Sequence, residues 1–182
     1  TLWHTLSLHD ALPISAHAIE GAGVNAIPKM LADVLSDHLG WCADSEIVQT
    51  NIVGHTGADG FSRLARQAEF DGPVGRREIY MLADDFVGQG GTLANLRSHV
   101  IQGGGRVVGA TVLTGKSYSA HLALKVETLE ALRLKHGKEL ETWWNERFGF
   151  GFECLTESEA RYLLRTPDAD RVRNKIVAAI KN

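Results

Sequence analysis

The feature that most constrains the fold of this chain is the segment Ile79 to Thr92, IYMLADDFVGQGGT. An apolar run typical of a buried strand ends on Asp84 and Asp85, and a glycine-rich turn then leads into a helix predicted from Leu93 to Ile101. In an open α/β sheet, ligands bind at the carboxyl ends of the strands. The segment therefore predicts a parallel sheet with a ligand site at its edge.

The turn after this strand has the chemistry of an anion site. Gly90 and Gly91 allow backbone amides to converge, Thr92 adds a hydroxyl group, and a helix N-terminus carries partial positive charge. Asp84 and Asp85 offer acceptors to vicinal hydroxyls, or outer-shell ligands to a hydrated Mg²⁺. A phosphorylated pentose would satisfy both parts. The alternative is that the two acids only end a strand and cap a helix.

The order of an apolar run, Asp-Asp, four residues and Gly-Gly-Thr resembles the ribose-phosphate signature of the type I phosphoribosyltransferases. These enzymes use phosphoribosyl pyrophosphate (PRPP). The resemblance implies an α/β fold, with a parallel sheet flanked by helices and a C-terminal helical extension. It also implies Mg²⁺-dependent transfer of 5-phosphoribose to a nitrogenous base, with release of pyrophosphate. A non-catalytic PRPP- or nucleotide-sensing domain, or an accessory domain of the same fold, is the alternative.

The resemblance assigns roles to the signature residues. Asp84 and Asp85 would be catalytic, and Asp84 would also serve the metal, either directly or through a bound water. The residues expected on the 5′-phosphate are Gly88, Gln89, Gly90, Gly91 and Thr92. The two positions before the glycine pair usually bear hydroxyls in the family and are Gly88 and Gln89 here.

Two earlier segments are candidates for the pyrophosphate. The loop Glu20, Gly21, Ala22, Gly23 precedes a helix, and the run GVNAIPKMLADVLSDHLG resembles the competence-associated subgroup of the family. A plain strand-to-helix turn is the alternative. The stretch Thr50 to Gln67 is polar and glycine-rich and predicts a mobile loop.

In that stretch, Arg63 and Arg66 would close over the reacting centre as catalytic residues, and His55 could assist. The alternative for both arginines is a solvated or structural salt-bridge role. The base would be met by Lys116 and Tyr118, although a surface role for Lys116 is the alternative. The aromatic residues Trp143, Trp144, Phe148, Phe150 and Phe152 are expected in a small core rather than in a stacking platform.

Periodicity divides the chain into three predicted parts. Residues 1 to 15 resemble translated sequencing-adapter DNA and are expected to be non-native, with an ordinary amphipathic lead-in as the alternative. Residues 16 to 116 would form the α/β core, with a helix at 26–39 and a strand at 106–114. Residues 117 to 182 would form the helical extension, with helices at 127–136, 138–147, 157–164 and 168–180. Thr156 and Glu159 have capping-box spacing.

Bulk composition limits the partners. The chain has 182 residues with 19 basic and 22 acidic side chains, so its formal charge is -3 and no basic cluster indicates nucleic acid. No apolar run approaches the ~20 residues of a membrane span. Cys42 and Cys154 have neither metal-ligand spacing nor a disulfide framework. The expected partners are therefore PRPP and a base, without nucleic acid or membrane, in a cytoplasmic protein that could form a homodimer.

Overall fold

A computed structural model describes residues 11–17, 19–20, 23–51, 59–119 and 121–181. The strands are β1 (Ala11–Ser15), β2 (Ile19–Glu20), β3 (Gly23–Val24), β4 (Val48–Gln49), β5 (Phe70–Asp71), β6 (Ile79–Val87) and β7 (Arg106–Gly115). The helices are α1 (Ala26–Leu39), α2 (Gly60–Ala65), α3 (Gly91–Gln102), α4 (Val126–Phe148), α5 (Glu157–Arg165) and α6 (Ala169–Lys181). Among these described helices, none combines the length and apolar character needed to cross a bilayer.

The chain divides into two compact units. The first comprises Thr1–Ile52, Ala68–Phe86 and Asn95–Thr114, as far as these ranges are described. The second comprises Val53–Gln67, Val87–Ala94 and Gly115–Asn182, with the same restriction. Asp84 and Asp85 belong to the first unit, and residues 88–92 belong to the second.

The first unit contains a three-stranded parallel sheet in the order β1-β6-β7. β1 runs parallel to β6, with Ala11 opposite Ile79 and Ser15 opposite Ala83. The predicted α/β class with a parallel sheet flanked by helices is thus confirmed at this coarse level. The phosphoribosyltransferase type of fold is not established by three strands.

β1 is formed by residues of the predicted non-native segment. Its Ile14 is fully buried, as are Tyr80 and Leu82 of the neighbouring β6. The nearly continuous apolar run of this short segment and its burial are typical of a strand in a parallel sheet that is covered on both faces. Its origin, and the predicted boundaries at residues 15 and 116, stay predictions.

Helix α1 has the predicted bounds, and Gly40 ends it in the left-handed conformation at φ 67°. It contacts β1, as expected of a helix that packs on a sheet. The buried residues of α1 are small, however: Pro28, Ala32 and Ser36. The large apolar residues Ile27, Met30, Val34 and Leu39 are exposed. Small side chains allow a helix to approach a strand closely, which explains why the apolar stripe is not the inward face.

The second unit has an aromatic and aliphatic core. Trp144 and Phe152 are fully buried, and their ring centroids lie 5.8 Å apart in an edge-to-face arrangement. Phe148 packs on Trp144 at 4.5 Å. The expectation that the aromatic group near residue 150 forms a core is confirmed. Around it lie Phe61, Leu64, Leu132, Leu140, Leu155, Ala160, Leu163, Val172 and Ile176.

Two local features of this unit bear on the predictions. The two helices predicted on either side of Gly137 form α4, whose backbone is non-helical at Gly137, with φ 75° and ψ 166°. Part of the predicted mobile loop is helix α2 instead. Asp59 caps α2 by accepting from the Ser62 backbone N–H at 2.8 Å, and Phe61 and Leu64 enter the core. A good N-cap and apolar residues at i and i+3 explain this short helix. His55 lies outside the described residues.

Candidate functional site

A pocket of about 170 Å³ opens beside α5 in the second unit. This volume is several times the ~30 Å³ that one water molecule occupies in the liquid. The lining side chains are polar or aromatic, and most of them can donate hydrogen bonds. They are Gln89, Tyr118, Ser158, Arg161, Tyr162 and Arg165. The pocket therefore combines several polar donors with a largely apolar wall surface.

Helix α5 supplies four of the six lining residues because of its periodicity. Ser158, Arg161, Tyr162 and Arg165 follow an i, i+3, i+4, i+7 spacing, which puts them on one face. Thr156 begins the helix with the predicted capping box. Its side chain accepts from the Glu159 backbone N–H at 3.1 Å, and its own N–H donates to Glu159 Oε2 at 2.8 Å. The helix face is thus anchored at its first turn.

Arg161 and Arg165 give the pocket its charge. Both are exposed, and neither forms an ion pair with a described residue. Guanidinium groups one turn apart can both reach a bound anion, and each offers a planar fork of N–H donors. The acid that starts the helix does not compete for them. Glu157 is buried and accepts from the Lys125 backbone N–H at 3.0 Å and from Thr128 Oγ1 at 2.9 Å.

Hydrogen bonds to backbone carbonyls fix the part of the pocket wall that lies near Gln89 and Tyr118. Thr156 Oγ1 donates to the Gln89 carbonyl at 2.7 Å. Ser119 Oγ donates to the Gly88 carbonyl, and it lies 3.3 Å from Ser158 Oγ. Tyr162 packs edge-on against Phe61 with a centroid distance of 5.1 Å. The pocket is therefore lined by residues with defined positions.

Burial raises the pKa of the Tyr162 hydroxyl, and the charge of Asp59 adds to the rise, while backbone hydrogen bonds from Gly60 and Phe61 oppose it. The hydroxyl of Tyr162 lies against the first turn of α2, where it accepts from the Gly60 and Phe61 backbone N–H groups.

The glycine turn before α3 is shaped by packing within the second unit. Gly90 has φ +87°, and a Cβ at this position would collide with the side chain of Leu122. A Cβ at Gly91 would lie only 2.6 Å from Glu159 Oε1. Both glycines are therefore required by the fold. A phosphate at Gly91 would meet the carboxylate of Glu159, so like charge would oppose it when Glu159 is ionised.

Glu159 is buried, and this burial raises its pKa to about 7. The backbone and side-chain hydrogen bonds with Thr156 oppose this rise. The side chains and backbone that contact it, Thr156 and Gly91, carry no charge. The 5′-phosphate role of residues Gly88 to Thr92 stays a prediction, and this carboxyl counts against it.

In the first unit, Asp84 is 7% exposed at the carboxyl end of β6. Burial raises its pKa to about 7, and the negative charge of Asp85 adds to the rise. A hydrogen bond from the Asp85 backbone N–H to Asp84 Oδ1, at 2.9 Å, opposes it. No group of three or more His, Cys, Asp or Glu side chains among the described residues is arranged to hold a metal ion. Mg²⁺ binding at Asp84 stays a prediction, and the described residues offer no group of three ligands for it.

The remaining predicted site residues lie on separate helices and strands. Arg66 Nη2 donates to the Ala179 carbonyl at 3.4 Å, so it ties the end of α2 to α6. Arg63 lies within α2. Glu20 pairs with Gly23 in the short antiparallel pair β2-β3, and Gly21 and Ala22 lie outside the described residues. The catalytic and pyrophosphate roles of these residues stay predictions.

The structure brings two predicted residues into one pocket. Gln89, expected on a phosphate, and Tyr118, expected on a base, both line it, and Lys116 Nζ lies 5.9 Å from the centroid of the Tyr118 ring. The residues missed from the sequence are Ser158, Arg161, Tyr162 and Arg165. Their helical spacing was a usable signal, because two arginines and a tyrosine on one face of a capped helix are visible in the sequence.

The comparison with known proteins gives two relatives. The chain is 40% identical to Protein TraN of Escherichia coli over 162 residues, which are 89% of this chain and 36% of TraN. It is 42% identical over 93 residues to an uncharacterized protein of Haemophilus influenzae, covering 51% of this chain and 21% of that protein. No protein-family model matches the chain. The chain thus spans little more than a third of the length of TraN.

These relatives overturn the phosphoribosyltransferase resemblance. The relative that aligns with most of the chain is TraN, and it is not a phosphoribosyltransferase. The interpretation as a PRPP-using enzyme of nucleotide metabolism is therefore wrong, and so is its alternative as a sensing or accessory domain of that fold. The physical reason lies in the signature itself. Packing against Leu122 and Glu159 accounts for both glycines without any phosphate.

Proposed function

We propose that the chain is one module of a longer TraN-like protein, and that this module binds a small phosphate ester in the pocket beside α5. Identity of 40% over 89% of the chain supports the first part, because 162 residues align with only 36% of TraN. The second part comes from the pocket. Expected cytoplasmic location and homodimer formation stay predictions.

The observation that carries the proposal is a pair of arginines in the wall of one pocket. Arg161 and Arg165 line one pocket and have no acidic partner among the described residues. Two guanidinium charges match a phosphate monoester, whose second pKa of about 6 makes it close to a dianion above neutral pH. A carboxylate would neutralise only one of them. Ser158 supplies a further donor, which suits the acceptor-rich phosphate group.

Calorimetric titration with methyl phosphate at pH 8 tests the proposal. We expect a dissociation constant on the order of 1 mM, since a fragment of this size gains few contacts. Arg161→Ala and Arg165→Ala should each weaken binding at least about tenfold, because each removes a charge-assisted hydrogen bond. Arg147→Ala, which removes an exposed arginine of α4 outside the pocket, is the matched control and should change nothing.

The salt dependence adds a second readout. Affinity should fall as ionic strength rises, because exposed charges are screened over a Debye length of about 10 Å at 0.1 M. The proposal is wrong if methyl phosphate shows no binding at a concentration about ten times the expected dissociation constant. It is also wrong if all three variants bind methyl phosphate with equal affinity. Thermal unfolding of each variant confirms that the loss concerns binding and not folding.

A further inference from the structure

Tyr118 places an aromatic ring at the wall of the pocket. Its side chain is 53% exposed, although it lines the same cavity as Arg161 and Arg165. Tyr162, the other aromatic residue of the wall, already packs against Phe61. The ring of Tyr118 is therefore accessible to a ligand beside the two arginines.

The turn that carries Tyr118 has a fixed backbone. Tyr118 belongs to the short 3₁₀ segment Ser117–Ser119, and the Ser119 backbone N–H donates to the Lys116 carbonyl at 2.8 Å. Ser119 is 1% exposed, and its hydroxyl bonds the Gly88 carbonyl. The ring is therefore presented on an anchored support, which reduces the entropy that ordering it on a ligand would cost.

Lys116 adds a charge beside this ring. Its ammonium nitrogen lies 5.9 Å from the ring centroid, within the range of a cation–π contact. Lys116 is not itself one of the described residues that line the pocket. The ring of Tyr118 and the two arginines of α5 therefore form the two halves of one recognition surface.

We infer that the pocket selects an aromatic phosphate ester, whose planar ring stacks on Tyr118 while its phosphate is held by Arg161 and Arg165. This inference rests on the proposed function, because the arginines must bind the phosphate for the ring to be presented. It adds the chemical class of the organic group. Offset stacking of a ring on tyrosine also explains an aromatic residue at a site that is otherwise made of polar donors.

Two probes of equal charge separate the contribution of the ring from that of the phosphate. Phenyl phosphate and methyl phosphate carry the same anionic group, so the ratio of their affinities reports the ring. For the unmodified chain we expect phenyl phosphate to bind about tenfold more tightly than methyl phosphate, the size of effect that a single aromatic stack produces. Titrations are run at one pH and one salt concentration.

Variants at Tyr118 then locate the ring. Tyr118→Leu should abolish the preference for phenyl phosphate by weakening its binding more than that of methyl phosphate, while Tyr118→Phe should retain the preference. Equal binding of the two probes to the unmodified chain would overturn the inference but leave the proposed function intact. An equal loss of both probes in Tyr118→Leu would also overturn it, since that pattern indicates a structural role. Failure of both probes to bind would remove the proposed function as well.

Discussion

Asp84 of the first unit and Glu159 of the second are both buried carboxyls, and each has its pKa raised to about 7. Their surroundings differ. Asp84 accepts from the Asp85 backbone N–H, and the Asp85 carboxyl beside it interacts with it through charge and a side-chain hydrogen bond. Glu159 takes part in a helix cap with Thr156, and no charged group among the described residues contributes to its raised pKa. Desolvation outweighs the hydrogen bonds in both places, so burial, and not the local pattern, sets the proton affinity.

The sequence marks these two acids very differently. Adjacent aspartates before a glycine turn stand out as a functional signal, whereas Thr156 and Glu159 indicate only the start of a helix. The structure makes the two acids electrostatically alike. A raised pKa at Asp84 is therefore a property that an ordinary capping residue shares, and it does not identify a catalytic group.

The largest expected effect is that of Asp84→Asn. A pKa that is raised on folding means that the stability contribution is fully present below pH 3.8 and is lost as the pH rises to about 7. The amide stays neutral and keeps an acceptor for the Asp85 N–H. We expect the free energy of unfolding to rise by about 4 kcal/mol at pH 8, at about 1.4 kcal/mol per pKa unit.

Urea denaturation at several pH values measures this effect. The gain from Asp84→Asn should shrink toward zero as the pH falls to 4. Asp85→Asn is the matched control, because it removes the neighbouring charge and should lower the pKa of Asp84 slightly. A gain of equal size at pH 4 and pH 8 would show that the effect is not the titration of Asp84.

Glu159→Gln should have a somewhat smaller effect of the same sign. Its contribution to stability is fully present below pH 4.5 and is lost as the pH rises to about 7. Glutamine preserves the capping box, so we expect a gain of about 3 kcal/mol at pH 8. Fluorescence of Trp143 and Trp144, which lie in this unit, follows the unfolding. Loss of stability at pH 8 would indicate that Glu159 is ionised and stabilised by the helix N-termini.

Gly91→Ala should have the smallest effect of the three, because it adds a single methyl group. That methyl would lie 2.6 Å from Glu159 Oε1, so either the turn or the carboxyl must shift. We expect a loss of about 1–3 kcal/mol, the usual cost of overpacking. Combining it with Glu159→Ala should recover most of this loss, measured as a coupling energy in a double-mutant cycle. Additive losses would show that the two residues are not in contact.

Much of the secondary structure was predictable from local patterns. Helix α1 has the predicted bounds, and β6, α3, β7, α5 and α6 differ from theirs by a few residues. Hydrophobic periodicity, caps and glycines act within a few residues of the chain, which explains this success. The face of α1 was not predictable. In α1 the small residues face the strand and the large apolar side chains are exposed. Hydrophobic periodicity alone does not tell whether the small or the large residues of such a helix face the sheet.

The candidate site was only partly predictable. Gln89 and Tyr118 were candidates for different parts of a ligand, yet they line the same pocket. Arg161 and Arg165 lie more than 40 positions beyond Tyr118 and were regarded only as part of a helix. The pattern of a strand, two acids and a glycine turn resembles a phosphoribosyltransferase signature. In this chain, however, the two glycines are explained by contacts with Leu122 and Glu159, which are distant in the sequence.

Local preferences along the chain thus sufficed for the approximate bounds of α1, α3, α5, α6, β6 and β7, for the parallel sheet and for the capping box of α5, but not for α2 or β1. Packing was needed to bring Gln89, Tyr118 and Arg161 to one cavity and to exclude water from Asp84 and Glu159. The physical reason is that the interactions involved act over different separations along the chain. Backbone hydrogen bonds and side-chain periodicity act between near neighbours, but desolvation and pocket shape depend on residues that are far apart in the chain and meet only on folding.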